Sequence, residues 1–103
     1  MAFEIIQSIK AESDLDNILV YITFQLNNPT AASNLLDKYE SRLTNLRKSP
    51  HFYRLSNIER LSHSGYHQFT FGNCIAFYII NDEAKTVSIV RIFYKKQDYE
   101  SIL

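Results

Sequence analysis

The stretch Gly65–Leu103, GYHQFTFGNCIAFYIINDEAKTVSIVRIFYKKQDYESIL, decides the fold of this chain. Its apolar segments are short, rich in β-branched and aromatic residues, and separated by turn residues, which is typical of consecutive strands. They predict strands over Tyr66–Phe71, Asn73–Ile80 and Thr86–Tyr94, with a turn over Asn81–Ala84. Because Asn73–Ile80 is almost continuously apolar, we expect it to be a central strand that is buried on both faces.

The N-terminal half predicts one strand and two helices. Phe3–Ile9 has apolar residues at a period of two, as in a half-buried strand. Glu12–Asn27 and Asn28–Lys48 each carry an apolar stripe at helical spacing, and Ser13 with Asp16 resembles a capping box for the first helix. The stripe residues are Leu15, Ile18, Leu19, Ile22 and Leu26 in the first helix, and Ala32, Leu35, Leu36, Tyr39, Leu43 and Leu46 in the second.

Pro29 defines the junction between the two helices. The residue before a proline avoids the α region, whereas Asn28 can cap a new helix and Pro29 fits its first turn. So short a junction predicts an antiparallel helical hairpin. His51–Ser64 predicts a loop with a short strand around residues 58–61, and residues 98–103 predict a short tail. The fold class is therefore α+β: an N-terminal strand, a helical hairpin and a three- or four-stranded antiparallel sheet with the hairpin on one face.

Composition limits the classes of protein to consider. A chain of 103 residues predicts one domain, residues 1–103. Eleven basic and eleven acidic side chains cancel, which disfavours bulk electrostatic capture of nucleic acid. The N-terminus does not resemble a secretory signal, and no apolar run is long enough to span a membrane, so we expect a cytoplasmic protein without a membrane partner.

The sequence contains no Gly-rich phosphate loop and no nucleophile elbow. His51, His63 and His67 lack metal-ligand spacing, so we expect neither a metal nor a cofactor. The single cysteine, Cys74, lies in the most apolar strand, and we interpret it as a core residue.

Arg91 has two interpretations, because it lies inside an otherwise largely apolar strand. A buried arginine must be paired, and Asp98 and Glu59 are candidate partners. Alternatively, its planar guanidinium could bind phosphate. The sequence slightly favours the structural ion pair.

A second candidate site combines several polar side chains. RNA cleavage needs a base, an acid and cations around the phosphate. His67 could be the base or the acid, Tyr94 could be the acid, and Lys95, Lys96 and Arg60 could hold the phosphate. Strand alternation places Tyr94 and Lys96 on one face and Lys95 on the other. The alternative interpretation is an ordinary solvated strand end.

Four segments carry a resemblance to a known family. They are, in order, AESDLDNILVYI (Ala11–Ile22), NPTAASNLL (Asn28–Leu36), GYH (Gly65–His67) and IVRIFYKKQDY (Ile89–Tyr99). Over essentially its full length the chain resembles the RelE/ParE superfamily of bacterial toxins from type II toxin–antitoxin modules, the plasmid stabilisation proteins. The resemblance implies a compact sheet with a helical hairpin, and a cognate antitoxin encoded beside the toxin.

The resemblance implies one of two targets. ParE-like toxins inhibit DNA gyrase, whereas RelE-like toxins cut mRNA in the ribosome and would make this chain a metal-independent endoribonuclease. His67 stands where RelE-like nucleases have an arginine, while Tyr94, Lys95 and Lys96 roughly fit their tyrosine and basic positions. Zero net charge and the ending Ile89–Tyr99 favour the ParE side. A third alternative is an inactive toxin that only binds its antitoxin.

Overall fold

The computed structural model describes residues 2–53, 55–56 and 62–94. Its elements are, in chain order, β1 (Glu4–Gln7), α1 (Ile9–Val20), a π-helical turn (Tyr21–Gln25), α2 (Pro29–Lys48), a 3-10 turn (Pro50–Phe52), β2 (His67–Phe71), β3 (Cys74–Asn81) and β4 (Thr86–Tyr94). This is the predicted α+β order of strand, helical hairpin and sheet. The strand expected around residues 58–61 and the tail expected over residues 98–103 lie outside the described residues. None of the described helices is long and apolar enough to cross a membrane.

The four strands form one mixed sheet in the order β1-β4-β3-β2. The three strands after the hairpin pair antiparallel, as predicted, and β1 adds to β4 in parallel, with Glu4 opposite Thr86 and Gln7 opposite Ile89. A parallel pair needs a crossover connection, which here is the rest of the chain between β1 and β4. The alternation of apolar and polar residues in β1 indicates which face of the strand is buried. It does not indicate whether the neighbouring strand runs parallel or antiparallel to it.

The central strand β3 is buried on both faces over its first five residues, which confirms the prediction from its apolar run. Cys74, Ala76 and Tyr78 face the helices and belong to the main core. Ile75 and Phe77 face the opposite side, where they pack with Phe93 in a second cluster. Burial raises the pKa of the Cys74 thiol to about 11, so at neutral pH this cysteine is a protonated core residue.

The start of α1 differs from the prediction. The helix begins at Ile9, and its N-cap is Ser8, whose hydroxyl accepts a hydrogen bond from the Ala11 N–H at 3.0 Å. The predicted capping box at Ser13 and Asp16 is wrong, since both lie inside the helix. Ser8 is the cap because its hydroxyl also donates to the Val90 carbonyl of β4 at 2.7 Å, a contact that local sequence does not encode.

The end of α1 also differs, because the last turn is a π-helix. The Leu26 N–H donates to the Tyr21 carbonyl, five residues back, at 3.1 Å. This wider turn rotates the following residues relative to a continuous α-helix. Leu15, Ile18 and Ile22 are buried as predicted, whereas Leu26 is half exposed.

The second helix follows the prediction closely. Asn28 is its N-cap and accepts from the Ala31 N–H at 3.0 Å, Pro29 is its first residue, and Lys48 is its last. Of the predicted stripe all but Leu36 are buried. The Tyr39 hydroxyl donates to Gln7 Oε1 at 2.8 Å, which ties α2 to β1.

Gly72, in the turn between β2 and β3, gives a first prediction. Its φ is +56°, and a Cβ at this position would lie 2.7 Å from Leu35 Cδ1 of α2. Gly72→Ala therefore combines left-handed strain with overpacking, and we expect it to lower the free energy of unfolding by roughly 2–3 kcal/mol. Gly65 (φ +82°) has nothing within 4 Å of its Cβ position, so Gly65→Ala isolates the strain alone. Equal losses in urea titrations of the two variants would show that the turn does not pack against α2.

Candidate functional site

The C-terminal half of β4 lies beside α1, and Arg91 and Asp14 connect the two elements. Arg91 Nε donates to Asp14 Oδ2 at 2.7 Å, and a terminal nitrogen of the same guanidinium donates to Oδ1 at 3.0 Å. Asp14 Oδ2 also accepts from the Ile92 backbone N–H at 3.0 Å. Both charged side chains are mostly buried, and the hydrogen bonds to Asp14 raise the pKa of Arg91. We call this arrangement the Asp14 clasp.

The clasp exists because β1 is shorter than β4. β1 pairs only with Thr86–Ile89, so from Val90 onward no strand among the described residues pairs with the outer edge of β4. The register between β3 and β4 also shifts at Phe77 and Tyr78, where Val90 is the extra residue. Two side chains bond to this edge instead. The Ser8 hydroxyl donates to the Val90 carbonyl, and Asp14 of α1 accepts from the Ile92 N–H. An open strand edge is thereby closed by helix side chains.

The partner of Arg91 was not found from the sequence. The two candidate partners, Asp98 and Glu59, lie outside the described residues, and the described partner is Asp14, 77 positions away. One sequence feature does point to Asp14 as a partner. It lies four positions before the buried Ile18, so it borders the apolar stripe with which α1 packs on the sheet. Two guanidinium N–H groups are engaged by Asp14, so a phosphate at Arg91 would have to compete with a carboxylate.

A cavity of about 290 Å³ lies between α1 and the end of β4. Its walls are Asp14, Asn17, Ile18, Tyr21, Ile92 and Tyr94. The Tyr21 and Tyr94 rings meet edge to face, with centroids 5.9 Å apart. The clasp forms the polar side of this cavity, and the two tyrosines and two isoleucines form its apolar side.

His67 lies elsewhere, at the start of β2. Its ring stacks on buried Tyr78 with centroids 5.3 Å apart, and its Nδ1 lies 2.9 Å from the Tyr53 carbonyl, to which it must donate. The Tyr78 hydroxyl donates to the Pro50 carbonyl at 2.9 Å. Among the described residues, packing on Tyr78 and the bond to the Tyr53 carbonyl hold the His67 ring.

Two residues of the predicted cleavage site, His67 and Tyr94, can be placed on the sheet. His67 pairs with Tyr78 and Tyr94 pairs with Cys74, so the two candidates lie on opposite sides of β3 and four residues apart along it. Four residues of strand span roughly 13 Å, and the two residues are two strands apart laterally. The structure does not bring these two side chains together. Arg60, Lys95 and Lys96 lie outside the described residues, so their place in such a site stays a prediction.

One polar cluster was not expected from the sequence. His51 Nε2 lies 3.0 Å from Asp82 Oδ1, and the His51 ring meets the His67 ring edge to face at 6.0 Å. Both members of the His51–Asp82 pair are more than half exposed, so the pair contributes little to stability. Within residues 2–53, 55–56 and 62–94 no group of three or more His, Cys, Asp or Glu side chains is placed to hold a metal.

The described residues form a helical hairpin on one face of a β1-β4-β3-β2 sheet, with the Asp14 clasp at the edge of β4. The family model of the ParE toxin of type II toxin–antitoxin system, parDE, matches residues 5–99. The chain belongs to this ParE toxin family. No curated protein matches the chain closely enough to count as a relative.

Solved structures share the fold at low sequence identity. A chain of the Pseudomonas aeruginosa chromosomal ParDE system is 20% identical with a TM-score of 0.70, covering 90% of this chain and 96% of its own. A chain of the Mycobacterium tuberculosis RelBE2 toxin–antitoxin complex is 19% identical with a TM-score of 0.63, covering 91% and 99%. A mutant of the Escherichia coli toxin RelE in the free state is 11% identical with a TM-score of 0.67, covering 99% and 93%. At 20% identity or less, these structures show that the fold is shared, and they come from both ParDE and RelBE systems.

Proposed function

We propose that this chain arrests bacterial growth by binding and inhibiting DNA gyrase in the cytoplasm, without cutting mRNA. The observation that carries the proposal is the match of the ParE toxin family to residues 5–99, which is almost the whole chain. ParE-like toxins are the gyrase-directed branch of the superfamily. The fold alone would not distinguish the branches, because one fold hosts several functions.

The arrangement of the candidate catalytic residues supports a protein target. A cleaving enzyme needs its base and acid within hydrogen-bond reach of one phosphodiester. His67 is stacked on Tyr78 and bonded to the Tyr53 carbonyl, while Tyr94 packs against Tyr21 several residues further along the sheet. Zero net charge gives the chain no overall attraction for ribosomal RNA, which agrees with the same proposal.

Two conservative substitutions test the proposal in cells that express the chain without its antitoxin. His67→Asn keeps a donor for the Tyr53 carbonyl but removes the titratable ring, and Tyr94→Phe keeps the ring beside Tyr21 but removes the hydroxyl. We expect both variants to arrest growth as the wild type does, since neither group would take part in chemistry. A nuclease using either group should lose activity by roughly 10²–10⁴-fold.

The target is measured directly in two assays. The purified wild-type chain should block DNA supercoiling by gyrase, and 5′-end mapping of mRNA minutes after induction should show no new cuts. Codon-phased cuts on translated messages, lost in His67→Asn or Tyr94→Phe, would replace this proposal with the ribosome-dependent nuclease. Normal growth with intact messages and active gyrase would identify a toxin that only binds its antitoxin.

A further inference from the structure

The outer edge of β1 carries backbone groups that the described structure leaves unpaired. The Glu4 and Ser8 N–H groups both donate to carbonyls within residues 85–89, so every second residue of this segment bonds to β4. The backbone groups of the residues between them, Ile5 and Gln7, therefore point away from β4. Among the described residues, nothing bonds to the backbone of either. Their N–H and C=O groups are available to another strand.

The opposite edge of the sheet, on β2, is occupied instead. Arg42 Nε donates to the Thr70 carbonyl at 3.0 Å, and the Ser56 N–H donates to the Tyr66 carbonyl at 2.8 Å. Proteins commonly protect an edge strand with lysine, proline, a bulge or a covering segment. β1, with the sequence EIIQ, contains neither lysine nor proline, and its pairing with β4 is regular. Of the two edge strands, β1 is the one with an edge suited to further pairing.

The side chains beside this edge are apolar on the face away from the helices. Ile6 is 45% exposed and lies next to Ser88 of β4, which in turn lies next to Ile79 of β3, itself 37% exposed. Ile9, the first residue of α1, is 86% exposed. A further strand beside β1 would cover Ile6, because side chains on neighbouring strands contact each other across the pair.

A second copy of β1 fits this edge in one register. A two-fold axis perpendicular to the sheet sets two β1 strands antiparallel, with the same surface on both copies. When Ile6 lies opposite Ile6 of the second copy, Ile5 of each chain lies opposite Gln7 of the other. Residues that face each other in this way exchange both N–H···O bonds, so the unpaired groups of both edges are satisfied. The two Ile6 residues form the non-hydrogen-bonded pair between them, in which side chains are closest.

The same register brings no like charges together. Glu4, the charged residue of β1, falls opposite Ser8 of the second copy. Like charges directly opposite would destabilise the pair, and this arrangement avoids them. The chain has zero net charge, so two copies have no overall repulsion to overcome. Backbone groups, apolar side chains and charge are therefore all self-complementary at this edge.

We propose that β1 is a dimer interface, at which two copies of this chain join their four-stranded sheets into one continuous sheet. We call this contact the β1 seam. Because the seam is short, it belongs to the weak and reversible class of interface, and the dimer forms as concentration rises. The proposal goes beyond the toxin's target and holds whether or not that target is gyrase.

Sedimentation equilibrium of the purified chain over a concentration series measures the dimer. Ile6→Lys places two like charges opposite each other at the centre of the β1 seam and removes the apolar pair, so it should raise the dimer dissociation constant about tenfold. Ile79→Lys is the matched control. It makes the same change on the same face at a similarly exposed residue, two strands away from the edge, and should leave the dissociation constant unchanged.

Amide hydrogen exchange identifies the strand that pairs. The Ile5 and Gln7 N–H groups should exchange slowly in concentrated protein and rapidly in dilute protein, because the dimer supplies their acceptors. The Glu4 N–H, which donates within the chain, should be protected at both concentrations. This measurement uses the wild type, so it tests the proposal even if Ile6→Lys does not fold.

Several outcomes would overturn the proposal. One is a chain that stays monomeric up to millimolar concentration. Another is a dimer in which the Ile5 and Gln7 amides exchange rapidly, or one that Ile6→Lys and Ile79→Lys weaken equally, since the contact would then lie elsewhere. Protection of these amides that appears only with the protein encoded by the adjacent gene would assign the edge to a different partner. A wild type that fails to inhibit gyrase removes the proposed target and leaves the dimer result intact.

Discussion

Asp14→Ala is expected to lower the free energy of unfolding by roughly 2–4 kcal/mol, because it removes one member of a mostly buried ion pair. The carboxylate serves three donors: two from the Arg91 guanidinium and the Ile92 backbone N–H. Its loss leaves a buried positive charge and a backbone donor without their described partner. Few surface substitutions approach this size, since changes away from such features usually stay within about 0.5 kcal/mol.

Asp16→Ala is the matched control for this substitution. It removes the same side chain from the same helix two positions later, at an exposed site. Arg91→Met should lower the free energy of unfolding less than Asp14→Ala does, since Asp14 can still accept from the Ile92 N–H. The double variant should lower it by less than the sum of the two single losses. Urea titrations followed by circular dichroism give all four values. If Asp14→Ala matched Asp16→Ala within error, the clasp would not contribute to stability.

Phe77→Ala is expected to cost roughly 3–5 kcal/mol, as for other fully buried aromatic residues. Phe77 has no exposed surface and meets Phe93 edge to face, with centroids 6.1 Å apart, on the side of the sheet away from the helices. The substitution tests whether this second face is a packed core. A loss no larger than that of a surface substitution would show that this face is not a packed core.

Ile79→Ala provides the contrast on the same face of β3. Ile79 lies two residues after Phe77 and is more than a third exposed. Its truncation should therefore cost at most about 1 kcal/mol, because little apolar surface returns to water. Thermal and urea unfolding of the two variants compare them directly. Similar losses would show that burial on this face does not end after Phe77, as it does in the structure.

Local signals in the sequence determined the second helix and the last strand. Asn28 and Pro29 fix the start of α2 through a side-chain cap and a restricted φ, and both effects act within a few residues. The apolar run of β3 fixed its central position, because a strand buried on both faces cannot alternate with polar residues. Thr86–Tyr94 was predicted with the bounds that the structure gives.

The first helix shows where local signals were insufficient. Ser8 and Ser13 are both plausible caps by residue type, and the bonds from Ser8 to the Ile89 and Val90 carbonyls of β4 favour the former. The chain forms a π-helical turn over Tyr21–Gln25, so a helical stripe read at 3.6 residues per turn misplaced Leu26 in the core. Neither difference follows from the residues nearby.

In the candidate sites, too, the sequence indicated single residues, whereas the tertiary structure determined their partners. Residue type alone indicated that Arg91 needs a partner, because a charge in an apolar strand is costly when unpaired. Which carboxylate pairs with it depends on α1 lying along the edge of β4 beyond β1, and that is a property of the whole sheet. Tyr94 was singled out by its position at the strand end, but its pairing with Tyr21 and the cavity they share needed both elements in place.

The sequence by itself determined the order of elements and the apolar face of each, since these depend on periodicity and turn chemistry along the chain. Its segments also carry the resemblance to the toxin superfamily. Only the tertiary structure decided that β1 joins β4 in parallel, that Asp14 clasps Arg91, and that His67 and Tyr94 lie apart. Each of these relations joins residues well separated in sequence. The packing of the whole sheet against the helix layer selects such contacts, and no single segment contains the information that specifies them.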